Sequence, residues 1–186
     1  TNYHFMKKFL LLVFALGFFG TAQAQFGVRA GFSSPNLVKT NFDANPGFHA
    51  GVYFRKELGF IAIEPGLQYA QKGYTTDIGP AGEITERLNY VDLPLLVRWN
   101  FLPILNVFAG PQGSILVSRK YETAGNTDTS TEPVKGYDIA GVVGVGVKLP
   151  LNLNAQVSYD FGLQNLNYYN QDVKNNVLKI SVGIDF

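Results

Sequence analysis

Cysteine is missing from the 186 residues, so this chain forms no disulfide, presents no thiol nucleophile and offers no thiolate to a metal. Charge is scarce as well. Asp, Glu, Lys and Arg make up 16% of the chain, against about 25% in ordinary soluble domains. The formal net charge is only +1, which removes the usual basis for gripping nucleic acid or a strongly acidic substrate. Beyond the first two dozen residues, no stretch approaches the ~18 consecutive apolar residues that suggest a membrane helix. Mean hydropathy is nevertheless close to neutral rather than polar. Apolar residues are therefore plentiful but dispersed.

Aromatics and glycine occupy the room that charge leaves, with 15 Phe, 10 Tyr and 20 Gly. The one compact apolar block stands near the beginning. Lys7 and Lys8 follow Met6, an apolar run broken only by Gly17 extends from Phe9 to Phe19, and Ala22-Gln23-Ala24 precedes Gln25. Positive residues, a short apolar core and a small-x-small site, in that order, predict a cleaved signal peptide over residues 1–24. Met6 reads as its true start, which makes residues 1–5 non-native. The run falls short of the roughly 20 residues that a spanning helix needs. The mature domain is expected over residues 25–186, with a formal charge of −1 once Lys7 and Lys8 are gone.

From there on, apolar residues alternate with polar or small ones at period two, the repeat of a strand whose faces meet different surroundings. The last segment shows it plainly. Leu178, Ile180, Val182, Ile184 and Phe186 share one face, while Lys179, Ser181, Gly183 and Asp185 share the other. Seven earlier segments repeat the pattern, at about 26–33, 47–56, 60–72, 88–101, 106–117, 137–149 and 151–163. Most reach the roughly 9–11 residues of a tilted membrane-crossing strand.

The connections alternate too. Those at 56–59, 100–105 and 149–152 are short, whereas those at 34–46, 73–87, 118–136 and 164–177 are long and polar. Strict alternation follows if all short turns lie at one end of a closed barrel and all long loops at the other. The chain is thus expected to be all-β: an eight-stranded, antiparallel, up-and-down transmembrane β-barrel. In lipid such a closed ring gives every backbone group a partner. Aromatics cluster at segment ends, and two interfacial girdles are predicted. Phe54, Phe60, Trp99, Phe101 and Phe186 fall near the short turns; Phe32, Phe48, Tyr69, Tyr90 and Phe161 fall near the long loops. Pro65 and Pro94 stand inside predicted strands and each removes a ladder hydrogen bond, so a bulge or irregularity is expected there.

Residues 64–73, EPGLQYAQKG, and residues 90–101, YVDLPLLVRWNF, resemble the third and fourth strands of small outer-membrane β-barrel proteins abundant in Bacteroidota, the porin-family or PorT-like group. The opening FGVRAGFSSPNL, the later AGVVGVGVKL and the Tyr159-Asp160-Phe161-Gly162-Leu163 run are similar as well. The resemblance implies residence in the bacterial outer membrane, surrounding outer-membrane lipids and insertion by the barrel-assembly machinery, whose C-terminal aromatic signal Phe186 resembles. It carries a structural signature with no catalytic residues and no cofactor. One branch of the group is associated with protein secretion, and nothing in these residues selects that branch.

Inward positions carry the remaining charge: Arg29, Glu64, Arg98 and Asp160, with Lys179 beside them in the pattern. Counted from the segment ends, Arg29, Glu64 and Arg98 belong in the half nearer the short turns. A charged constriction lining a narrow pore is one reading. An internal ion-pair plug is the other, and size favours it, because eight strands enclose a space that side chains can fill. His49, the sole histidine of the mature chain, raises the question of a lipid-modifying enzyme. Ser33 and Ser34 are its candidate nucleophiles, but no motif orients them, and a polar lumen or rim histidine is the stronger reading. The glycines of 141–146 lack phosphate-loop spacing and no helix pattern follows them. Glu122, Asp128 and Glu132 are scattered along a loop without calcium-site spacing. The expected role is structural or surface-interacting, with the long loops binding an extracellular ligand or protein. A narrow porin-like channel is the alternative.

Overall fold

Eight long antiparallel strands carry the alternating segments in the computed structural model, which describes residues 24–38, 43–77, 83–123, 126–128, 137–163, 166–168 and 171–186. They are β1 (Ala24–Val38), β2 (Gly47–Leu58), β3 (Ile61–Asp77), β4 (Glu83–Asn100), β5 (Leu105–Thr123), β6 (Tyr137–Lys148), β7 (Leu153–Gly162) and β8 (Gln171–Asp185). Each pairs with its sequence neighbour, and β1 pairs with β8 from Gly27↔Asp185 to Val38↔Lys174, which closes an eight-stranded barrel. Three-residue strands at Asp43–Asn45, Asn126–Asp128 and Leu166–Tyr168 pair onto β3, β5 and β8 within the long connections. The predicted signal peptide, Ala24 excepted, and Glu132 lie outside the described residues.

The different surroundings of the wall's two faces explain the alternation. Outward side chains such as Phe32, Val97, Ile180 and Val182 are exposed, while their neighbours Ser33, Arg98, Lys179 and Ser181 are buried inside the ring. Strands β3, β4 and β5 run for 17, 18 and 19 residues, longer than a bilayer crossing requires. Their excess lies at the long-loop end, in stretches predicted as loop. There the outer face turns polar, and the period-two signal ends with it. Gln71 donates to Asn89 at 3.3 Å and Asn89 donates to Ser118 at 3.0 Å, forming a polar row just past Tyr69, Val91 and Val117.

Aromatic contacts mark both rims. At the short-turn end Phe26 meets Phe54 and Phe186, each at 6.2 Å between ring centroids, and Trp99 meets Phe101 at 6.1 Å. At the other end Phe48 meets Tyr69 at 5.8 Å and Tyr159 meets Phe161 at 5.7 Å. Tyr90 is a correction to the expected girdle. It is fully buried in the lumen, because it shares the parity of Asp92 rather than that of Val91.

The prolines interrupt pairing without shifting register. Between β3 and β4 the ladder reaches Pro65↔Leu95 and resumes at Gln68↔Asp92. The register shift in β4 comes elsewhere, between Asn89 and Tyr90 against β5. Two short turns use left-handed backbone: Gly59 at φ 71°, and Leu151 and Asn152 at φ 63° and 58°.

Candidate functional site

Strand parity buries a set of charged side chains inside the lumen, where they form two clusters. The cluster nearer the short turns is built on Glu64 of β3. Arg29 from β1 donates to its Oε1 at 2.9 Å, and Arg98 from β4 donates to Oε1 at 2.7 Å and Oε2 at 2.6 Å. Arg55 from β2 donates to Oε2 at 2.8 Å and also reaches both oxygens of Asp185 on β8. Tyr53 donates to Asp185 at 2.5 Å, and Asn154 donates to the Tyr53 hydroxyl at 2.7 Å. Arg98 is also held by Asn106 and Gln156. Arg29 lies 4.0 Å from the centre of the Tyr53 ring and Arg98 lies 4.3 Å from that of Phe108. These contacts hold the guanidinium stems where cation–π attraction adds to the ion pairs.

Nearer the long loops, the ammonium of Lys179 on β8 sits between Asp160 of β7 at 2.7 Å and Asp92 of β4 at 3.1 Å. Lys72 of β3 approaches Asp92 at 3.7 Å and the Tyr90 ring at 4.5 Å. Gln112 donates to Asp160 at 3.3 Å. Arg29, Glu64 and Arg98 therefore meet, whereas Asp160 belongs to the second cluster with Lys179. Arg55, Asp92 and Asp185 complete the two clusters; their parity also faces inward, but spacing alone does not single them out.

Leu96, Phe108 and Val142, on the adjacent strands β4, β5 and β6, form an apolar patch on one side of the lumen. Gly144 makes room for it: a Cβ there would stand 2.3 Å from the Phe108 ring. A cavity of about 20 Å³ lies between this patch and polar residues that include Arg29, His49, Gln156, Asp160 and Lys179. It has room for about one water. Arg29 leaves Nε and Nη2 unpartnered and Asp160 leaves Oδ1 so, groups that a water in this cavity could serve. Glu64 and Arg98 are 1% and 2% exposed. Charges this dry persist because each faces an opposite charge and hydrogen-bond partners.

His49 points inward, not to the lipid-facing rim. Ser33 Oγ lies 2.9 Å from its Nδ1, and Ser181 Oγ lies 2.8 Å from its Nε2. A neutral ring donates from one nitrogen and accepts at the other, so both hydroxyls can be satisfied. Ser34 is on the outer face. Among the described residues no three His, Asp or Glu side chains converge as a metal site.

A family model described as an outer membrane protein beta-barrel domain matches residues 21–168. Among solved structures, the chain is similar to Neisserial surface protein A, with 13% identity and a TM-score of 0.62 over 89% of this chain and 100% of that one. It is also similar to Ail, the attachment invasion locus protein of Yersinia pestis, in complex with the heparin analogue sucrose octasulfate. There the identity is 10% and the TM-score 0.58, again over 89% and 100% of the two chains. At such identities the likeness speaks for the fold alone. No curated protein matches the sequence.

Proposed function

The chain belongs to the outer membrane protein beta-barrel domain family, and from that premise we propose that it is a plugged barrel acting at the cell surface through its long loops. The observation that carries this reading is the filled lumen. Two ion clusters and the Leu96–Phe108–Val142 patch occupy the space where a pore would run. Eight strands enclose a space that side chains can fill, and charges already paired to one another leave no polar path for a passing ion. Loops on a rigid scaffold are where recognition usually resides. The motifs at residues 64–73 and 90–101 support assignment to the small porin-family, PorT-like barrels of Bacteroidota, with export by the signal peptide at 1–24.

Loop composition narrows the ligand class. The four long connections hold six Lys or Arg against eight Asp or Glu, together with nine Asn, eight Thr and four Tyr. A surface without basic excess does not suit a densely sulfated sugar such as the sucrose octasulfate seen with Ail. Neutral hydrogen-bonding groups and tyrosines suit a protein or an uncharged glycan. We assign no catalysis. Ser33 and His49 are within bonding distance, but both are buried, no carboxylate orients the ring, and the adjoining cavity has no room for a lipid ester.

Single-channel recording of the refolded protein in a planar bilayer tests this reading. Verified folded protein is expected to be silent. Steady openings that change with Arg98→Ala would overturn the plug and establish a charge-lined pore.

A further inference from the structure

The short-turn end of the barrel carries apolar side chains unsuited to water. Leu58, Phe60, Leu102, Ile104, Leu149 and Leu151 are 52%, 65%, 48%, 60%, 45% and 87% exposed. Leu151 is also held at φ 63°, a left-handed conformation that a branched apolar residue seldom adopts and that turns usually give to Gly or Asn. Nothing among the described residues covers it.

The course of the lipid-facing belt says what does. The outward positions of β5 from Leu105 to Val117, and those from Tyr137 of β6 to Leu149, are apolar or glycine, and on β3 the outward apolar run begins at Ile61, next to Phe60. At the long-loop end Gln71, Asn89 and Ser118 form a polar row that bounds the belt. At the other end no polar row intervenes among these positions, and Phe60, Ile104 and Leu149 continue the belt into the turns. An apolar recess of about 560 Å³ in the outer wall, bordered by Val97, Trp99, Val107, Ala109, Val143 and Val145, belongs to the same belt on β4, β5 and β6. The charges at this end do not forbid immersion: Glu57 and Lys148 pair at 2.8 Å, and long side chains such as Lys56 can reach the headgroups.

We propose that the short-turn end is seated in the inner leaflet of the outer membrane, with phospholipid acyl chains covering Leu58, Phe60, Leu102, Ile104, Leu149 and Leu151. The turns are then membrane anchors rather than periplasmic projections. This inference needs only the membrane barrel, and it stands or falls apart from the plugged-lumen reading.

Tryptophan depth measurement tests it, starting from Trp99→Phe, which removes the only tryptophan. Leu151→Trp in that background, refolded in phosphatidylcholine vesicles, should lose most of its emission to bromine placed near the carbonyl end of the acyl chains and little to acrylamide. Quenching by acrylamide instead overturns the proposal, and so does protection from both quenchers, which would mean a second copy or another protein on these turns. If Leu151→Trp does not fold, Ile104→Trp reports on the same end. Independently, Leu102→Ser, Ile104→Ser, Leu149→Ser and Leu151→Ser combined should move the best refolding toward shorter-chain lipid, because the apolar height falls. An unchanged optimum overturns the proposal.

Discussion

Glu64 shows how much one side chain can hold together. It accepts bonds from three guanidinium groups on β1, β2 and β4 while only 1% exposed. Glu64→Gln leaves Arg29 and Arg98 without a carboxylate partner and Arg55 with Asp185 only, and a loss of about 3–5 kcal/mol is expected. A urea titration of the bilayer-refolded protein, followed by Trp99 fluorescence, measures it. Glu57→Gln removes a rim pair whose members are about one-third exposed, and should change stability by no more than about 1 kcal/mol. Equal effects would mean that the Glu64 cluster is not the dry plug described above. Gly144→Ala should destabilise as well, because its Cβ would meet Phe108 and the Val157 carbonyl, and restoring room with Phe108→Leu should recover part of the loss. The inward direction of Arg29, Glu64 and Arg98 was legible from parity alone. Which inward residues meet across the lumen was not, because that depends on the stagger between strands. Hence Asp160, grouped with Glu64 by pattern, pairs with Lys179 instead.

Strands were readable where lipid lies on one side and the packed lumen on the other, since only there do the two faces demand different residues. Past the polar row of Gln71, Asn89 and Ser118 that difference disappears. The ends of β3, β4, β5 and the start of β8 were accordingly predicted as loop, although their ladders continue. The belt itself makes a depth-graded prediction. Val182→Lys, in the middle of the lipid face and 63% exposed, should cost about 2–4 kcal/mol of folding stability in vesicles, whereas Ser34→Lys near the loop rim should cost about 0–1 kcal/mol. Similar values at both positions would argue against a membrane face where the structure places it. The prolines were legible as a disturbance but not as its kind. Removing a donor opened a gap in pairing, and the neighbouring strands held the register on either side.

For the whole molecule, closure of β1 on β8 predicts a compact, sheet-rich form that resists detergent. Unheated protein should migrate faster on an SDS gel than boiled protein. Co-migration together with a helical circular dichroism spectrum would rule the barrel out. Closure also orders the events of assembly. The final strand brings Lys179 to Asp92 and Asp160, Ser181 to His49, and Asp185 to Tyr53 and Arg55. Most of these partners belong to β2 and β4, beyond the strands that β8 zips against. A one-residue slip at the seam would turn Ile180 and Val182 into the lumen. A two-residue slip would keep the faces but misplace Lys179, Ser181 and Asp185 relative to their partners. The lumen contents therefore behave like the tumblers of a lock, in place on the earlier strands and released into the closed position by one alignment of the last. The side chains that block the pore also check that the ring has been joined correctly.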